Sequence, residues 1–253
     1  MKDFIVYKKA DLKVSADNGD IVTVFGPSNE KIVFDLMFVK QNDFITIEDV
    51  KIREKNKEKL RKTVNFATYD MIDIFVAETV RDEIASGMEN LGKSKREMQH
   101  FLSRHSSNYD LSDVMDRDPY SLGVSDKVKL KIVSALACDC HVLVLLNVLE
   151  NLDYNDYVTV ERLLKDYTAL GNIVINFTTN IEESLIGNKI IITSEDKVLV
   201  SGSTLSVLNE EKLLKRLKVG LPFIVELNKY LMDYGIVNKY ILNYKELVDA
   251  VWK

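Results

Sequence analysis

Cysteine is scarce in this chain. Only Cys138 and Cys140 occur in 253 residues. Two thiols so close in sequence make no disulfide framework, and the sparing use of cysteine fits a reducing compartment. Proline is equally rare, at Pro27, Pro119 and Pro222. Each falls at an expected boundary, where its fixed φ and missing N–H start or stop helices. No apolar run approaches the roughly 18 residues of a membrane-crossing helix. The longest, Val142 to Leu146, reads as a buried strand. Positive charge is not in excess: the formal net charge is -5, and nothing suggests a nucleic-acid-binding surface. No apolar h-region follows Met1-Lys2-Asp3-Phe4, so no signal peptide is expected. Internal repeats and low-complexity tracts are absent.

What is present is a globular core. Hydrophobic residues make up 46% of the chain, an ordinary share for a folded domain. Short β-rich runs alternate with helical stretches. Ile21–Phe25, Phe44–Ile47, Val142–Leu146, Ile173–Phe177 and Lys189–Thr193 read as strands. Val142–Leu146 and Ile173–Phe177 are almost wholly apolar, as strands buried on both faces of a parallel sheet should be. Lys197–Val200 completes a hairpin with the strand before it. A helical pattern from Ile32 to Val39 follows Gly26-Pro27. The stretch from Thr79 to Lys131 is polar and helical, and Leu205 to Lys253 is helical again, broken at Gly220 and Gly235. The expected class is α/β, with a helical insert near residues 79–135 inside a domain of residues 1–204, and a helical extension over 205–253.

Three segments carry a resemblance. Ala137-Cys138-Asp139-Cys140-His141 leads into the apolar strand and then Asn147-Val148-Leu149-Glu150-Asn151-Leu152-Asp153. Glu78-Thr79-Val80-Arg81-Asp82-Glu83-Ile84-Ala85-Ser86-Gly87 precedes Glu89-Asn90-Leu91-Gly92. Near the end stands Gly220-Leu221-Pro222-Phe223-Ile224-Val225-Glu226-Leu227. Over about residues 7 to 232 the chain resembles the ATP-binding subunits of energy-coupling factor (ECF) transporters. The resemblance implies a cassette core of the phosphate-loop NTPase type, with a helical subdomain and a C-terminal extension. It also implies two partners, a membrane scaffold subunit and a related ATPase subunit. In the family the tail helices help hold two such subunits together. A dimer is expected, hetero rather than homo, on the inner face of the cell membrane.

Compared with that pattern, the nucleotide-site positions hold other residue types. A phosphate loop uses glycines to turn backbone N–H groups on the phosphates, a lysine for the outer phosphates and a hydroxyl for Mg²⁺. Here the turn reads Gly26-Pro27-Ser28-Asn29-Glu30-Lys31. Gly26, Ser28, Asn29 and Lys31 are the candidate nucleotide contacts, through Lys31 and the helix N-terminus. The magnesium Asp is replaced by Leu146, the water-activating Glu by Asn147, the glutamine by Tyr69 and the switch histidine by Thr179. The signature approach Pro119-Tyr120-Ser121-Leu122 is kept, but Gly123, Val124, Ser125 and Asp126 replace Ser-Gly-Gly-Gln. Phosphoryl transfer depends on positioning and charge stabilisation by such groups. The expectation is therefore a subunit with no ATP hydrolysis, a structural or regulatory role in vitamin or metal uptake, and no resident cofactor. The family's first strand and adenine-stacking tyrosine are expected to be truncated, leaving Tyr7 as a poor substitute.

The groove that receives the membrane subunit needs shape rather than catalysis. Its candidates are Met71, Ile72, Ile74, Phe75 and Val76. The alternative is a free-standing interaction or nucleotide-sensing protein with a cassette fold. An apolar concave groove favours the transporter, and a closed or charged one the alternative. Cys138-Asp139-Cys140-His141 suggests a soft-metal cluster, but neighbours entering a strand point to opposite faces and do not converge on one ion. Asp153 reads as a helix N-cap.

Overall fold

The computed structural model describes residues 2–8, 11–37, 42–69, 75–105, 109–194 and 197–252. The chain opens with strands β1 (Lys2–Tyr7), β2 (Leu12–Ala16) and β3 (Ile21–Phe25), then helix α1 (Asn29–Leu36). Strands β4 (Asn42–Ile47) and β5 (Val50–Ile52), helix α2 (Lys57–Thr63) and strand β6 (Val64–Thr68) follow. Next come helices α3 (Val80–Asn90), α4 (Lys95–His105) and α5 (Val124–Ala137), with no strand among the described residues between them. Strand β7 (Val142–Leu146), helix α6 (Tyr154–Ala169), strand β8 (Ile173–Thr178) and the pair β9 (Lys189–Ser194) and β10 (Lys197–Ser203) complete the core. Four helices close the chain: α7 (Thr204–Leu208), α8 (Glu211–Leu217), α9 (Phe223–Asp233) and α10 (Tyr244–Val251).

The central sheet has the order β10-β9-β3-β8-β7-β6. Strands β9, β3, β8, β7 and β6 run parallel, and β10 pairs antiparallel at one edge. All five residues of β7 and all six of β8 are buried, because the two faces of these strands are both covered. On one face Val22, Val24, Val144, Leu146, Ile175 and Phe177 pack with Ile32, Val33 and Leu36 of α1 and with the second sheet. On the other, Leu143, Leu145 and Val174 pack against α3, α5 and α6. A third cluster joins Ile190 and Ile192 of β9 to Val207, Leu208, Leu214, Ile224, Val225 and Leu247 of the final helices.

The second sheet is antiparallel, with the order β2-β1-β4-β5. The expected truncation of the first strand is corrected here: β1 pairs with both β2 and β4. Its residues Phe4, Ile5 and Tyr7 are buried by the α1 side of the main sheet. The β4–β5 loop is two residues, Glu48 and Asp49, both at positive φ. That geometry matches the right-handed twist of a hairpin. Strand β6 was hidden in the sequence because Val64-Asn65-Phe66-Ala67-Thr68 is short and mixed, and lies at the sheet edge. Among the described residues no helix is long and apolar enough to cross a membrane.

Candidate nucleotide edge and partner groove

The parallel strands bring the expected site positions to one edge. Gly26 follows β3, Tyr69 follows β6, Leu146 and Asn147 stand at the end of β7, and Thr179 follows β8. The carboxyl edge of a parallel sheet is where such folds bind ligands. The turns are stitched together by backbone bonds. Gly26 N–H donates to Thr178 O (3.2 Å), Asn147 N–H to Phe177 O (3.0 Å) and Tyr69 N–H to Leu146 O (3.2 Å).

Individual side chains at this edge have structural duties. A Cβ on Gly26 would stand 1.9 Å from Thr193 Oγ1 and 2.8 Å from the Thr193 carbonyl. Glycine is therefore required by the close approach of β9. The Asn29 side chain is buried and donates to Val24 O (2.9 Å) and Thr178 O (2.8 Å). It ties β3 to β8. Ser28 holds the N-cap position of α1 without a side-chain capping bond. Lys31 and Glu30 are exposed on the first turn. Leu146 is fully buried in the α1-side cluster. Asn147 sits at φ +50, a region asparagine tolerates better than most residues. Its carbonyl accepts from Asn151 Nδ2 (2.9 Å), and its own Oδ1 is buried without a partner. Tyr69 packs partly against the helix-side core, and Thr179 is exposed. Tyr7 is buried, with its hydroxyl donating to Asp35 Oδ2 (2.9 Å). It is a core residue and offers no stacking face. An Mg²⁺ ion bound in the family's manner does not fit these residues: Leu146 brings no oxygen, and the Asn29 amide is already committed.

The signature region is tied down rather than open. Lys129 is buried, and its ammonium donates to Asp156 Oδ1 (2.6 Å) and pairs with Asp126 (3.2 Å). Ser125 Oγ donates to Asp156 Oδ2 (2.5 Å) and accepts from Asp153 N–H (3.0 Å). Asp153 caps α6, as its sequence context implies. Burial pushes the Lys129 ammonium down, but Asp156 and Asp126 outweigh it and hold it above its ordinary value. Lys129 thus bridges Asp126 on its own helix and Asp156 on α6. This network was not foreseen: a lysine in a helix normally reads as solvated.

A second unforeseen pair lies under the same edge. Asn176 on β8 donates to Glu183 Oε2 (2.8 Å), and both are buried. Burial drives the Glu183 carboxyl up to about 7, against the lowering effect of Asn176 and Thr178. The available signal was Asn176 itself, a polar residue inside an apolar strand. Cys138 and Cys140 are buried thiols donating to Ser134 O and Arg61 O. Among the described residues no group of three metal-ligating side chains is assembled.

Of the groove candidates, Met71, Ile72 and Ile74 lie outside the described residues. Phe75 and Val76 are described, and they face opposite ways: Phe75 is 6% exposed and Val76 74%. The Tyr120 hydroxyl accepts from Phe75 N–H (3.0 Å), with the Phe75 carbonyl 3.2 Å away. Glu83 Oε2 accepts from the N–H groups of Val76 (2.9 Å) and Ala77 (3.0 Å). Phe75 thereby becomes a fixed wall of an open groove of about 700 Å³ between β6 and α2 on one side and α3 and α5 on the other. Phe66, Ala67 and Leu91 supply its apolar surface, and Lys57, Arg61 and Lys131 its charge. The groove is open, but its described lining is charged, so the apolar surface expected of a transporter subunit is not what the structure shows here.

This architecture is that of an ATP-binding cassette. CbiO1 of Clostridium perfringens, described as part of the ABC transporter complex cbiONQ, aligns with a TM-score of 0.70 at 16% identity, covering 90% of this chain and 100% of that one. A dimeric post-hydrolysis state of the cassette MJ0796 bound to ADP and Pi aligns at 0.66, also at 16% identity, covering 76% and 89%. The chain resembles, more particularly, the ATP-binding subunit of ECF transporters. The ECF transporter ATP-binding protein EcfA1 of Mycoplasmopsis synoviae is 26% identical over 84% of this chain and 79% of its own length. That of Halalkalibacterium halodurans is 25% identical over 98% and 91%. No family model matches the chain.

These relatives correct the expectation that the chain is not an enzyme. They are named as ATP-binding subunits, and a structural neighbour is caught with its hydrolysis products. The chain's likeness is to an ATPase family, and the residue differences at Tyr69, Leu146, Asn147 and Thr179 do not remove it from that likeness.

Proposed function

We propose that this chain is the ATP-binding cassette subunit of an ECF-type transporter that imports a small molecule. In this reading it sits on the cytoplasmic face of the membrane, beside a membrane scaffold subunit and a second cassette that differs from it. The observation that carries the reading is the likeness, in sequence over most of the chain and in fold, to ECF ATP-binding subunits; the groove bounded by Phe75 offers a place for a partner. Its wall is held by Tyr120 and Glu83, so a partner meets a preformed surface and loses less on binding. The relatives' names supply the kind of assembly. The test is purification of the tagged chain from its native membranes. Recovery with a scaffold membrane protein and a second cassette supports the reading, and recovery free of both sinks it.

Nucleotide contact is proposed at the first turn of α1. Ser28 leaves the leading N–H groups of that helix uncapped by its side chain, and helix N-termini attract phosphate. Lys31 lies on the same turn. Titration with a fluorescent ATP analogue is expected to show binding that Lys31→Ala weakens about tenfold, roughly 1.4 kcal/mol. Equal affinity of the two proteins rejects the contact.

A further inference from the structure

Four buried side-chain oxygens on β3, β8 and the turn after β8 bond no described protein atom: Thr23 Oγ1, Asn176 Oδ1, Glu183 Oε1 and Ser184 Oγ. All four residues are at most 3% exposed. The fold puts them in one layer. Thr23 and Asn176 are register partners on neighbouring parallel strands, so both side chains leave the same face of the sheet. The 3₁₀ turn Ile181–Ile186 lies on that face, and Asn176 Nδ2 donates to Glu183 Oε2 (2.8 Å). The chain then returns to β3 so closely that a Cβ on Gly187 would stand 2.9 Å from Thr23 Oγ1.

Buried oxygens of this kind are costly unless bonded, and these four are chemically matched to one water. A water donates twice and accepts twice. It can donate to Asn176 Oδ1, accept the Glu183 proton and complete its set with the two hydroxyls, each of which gives or takes a hydrogen. The surroundings of Glu183 favour that proton. Burial disfavours the charge, and so does Glu150 in the turn after β7; the Thr178 hydroxyl and the Glu150 N–H favour it but do not bond Oε1. Tyr157 of α6 also faces Glu183 and stays neutral, its hydroxyl pushed up to about 12, chiefly by burial.

We infer that one water molecule is bound between Thr23, Asn176, Glu183 and Ser184, and that protonated Glu183 with this water is a clasp fixing the turns after β7 and β8. Those turns carry Asn147 and Thr179 at the nucleotide edge. The inference does not depend on the transporter reading.

The sign of two substitutions tests the water. Thr23→Val keeps the side-chain shape and removes the hydroxyl, and Ser184→Ala removes the other. With water bound, each change strands a bond and should lower the melting temperature by about 2–4 °C. A dry, unbonded hydroxyl would be better lost, so a melting temperature unchanged or raised by either substitution overturns the water site. Hydrogen exchange in the full chain tests the clasp, read over residues 147–153 and 179–187 at pH 6 and pH 8 and corrected for the intrinsic effect of pH. Wild type is expected to lose at least tenfold protection in both segments at pH 8. In Glu183→Gln, which stays neutral, protection should not change with pH. Wild-type protection that ignores pH, a loss shared by every segment of the chain, or an equal loss in Glu183→Gln overturns the clasp. The wild-type comparison stands without any variant.

Discussion

At the scale of single residues, Glu183 and Gly26 show most directly what this fold demands. A carboxyl raised to about 7 binds its proton more tightly folded than unfolded. The stability it contributes is complete below the ordinary value of 4.5 and is lost as pH climbs from there to about 7. Above that the charged form remains buried, at a cost of about 3 kcal/mol. Denaturant titrations between pH 4 and 8 should show wild type losing about that much relative to Glu183→Gln across this window. Parallel curves would reject a protonated Glu183. Gly26→Ala tests a different constraint. Its methyl would lie 1.9 Å from Thr193 Oγ1, and overpacking of this kind costs about 1–3 kcal/mol. Thr193→Ala in the same chain should restore part of the loss, because the hydroxyl leaves while the carbonyl contact at 2.8 Å stays. A Gly26→Ala chain as stable as wild type would refute the packing role.

Helices α5 and α6 are joined by a buried polar tie rather than by apolar packing alone. Lys129 on α5 holds Asp156 on α6, and Ser125 completes the link to the Asp153 cap. Removing one member of a buried pair leaves the other charge uncompensated, which costs about 3–5 kcal/mol. Lys129→Met is expected to fall in that range by urea denaturation. The double change Lys129→Met/Asp156→Leu should recover most of it. A double variant no more stable than the single one would show that the tie is more than a charge pair. The helical pattern itself was plain in the sequence; the tie was not, because nothing in the spacing of Lys129 and Asp156 places them on facing helices.

For the whole molecule, the final helices and the sheet share a core. Ile190 and Ile192 of β9 lie in one cluster with Leu208, Leu214, Ile224 and Leu247. Truncation after residue 203 would bare that face of the sheet, and exposed apolar patches of this kind drive association. The shortened chain is expected to aggregate and to bind a hydrophobic dye, as followed by light scattering and fluorescence. A monomeric, dye-silent product would mean that the sheet closes without its extension.

By itself the sequence determined the strands β3, β4, β7, β8 and β9, the hairpin of β9 with β10, the helical insert and the family likeness. Their signal is local: apolar runs buried on both faces, helical periodicity, and motif order along the chain. It also marked Tyr69, Leu146, Asn147 and Thr179 as departures from the family pattern, which was correct as residue identity and misleading as a guide to activity. Tertiary structure alone decided the rest. It gave the antiparallel sheet its partner strands, buried Tyr7, spent the Asn29 amide on β3 and β8, and put Glu183 beneath Asn176. It also set Lys57, Arg61 and Lys131 around one groove. Each of these depends on residues far apart in the chain, where desolvation and charge act through space and leave no period to read.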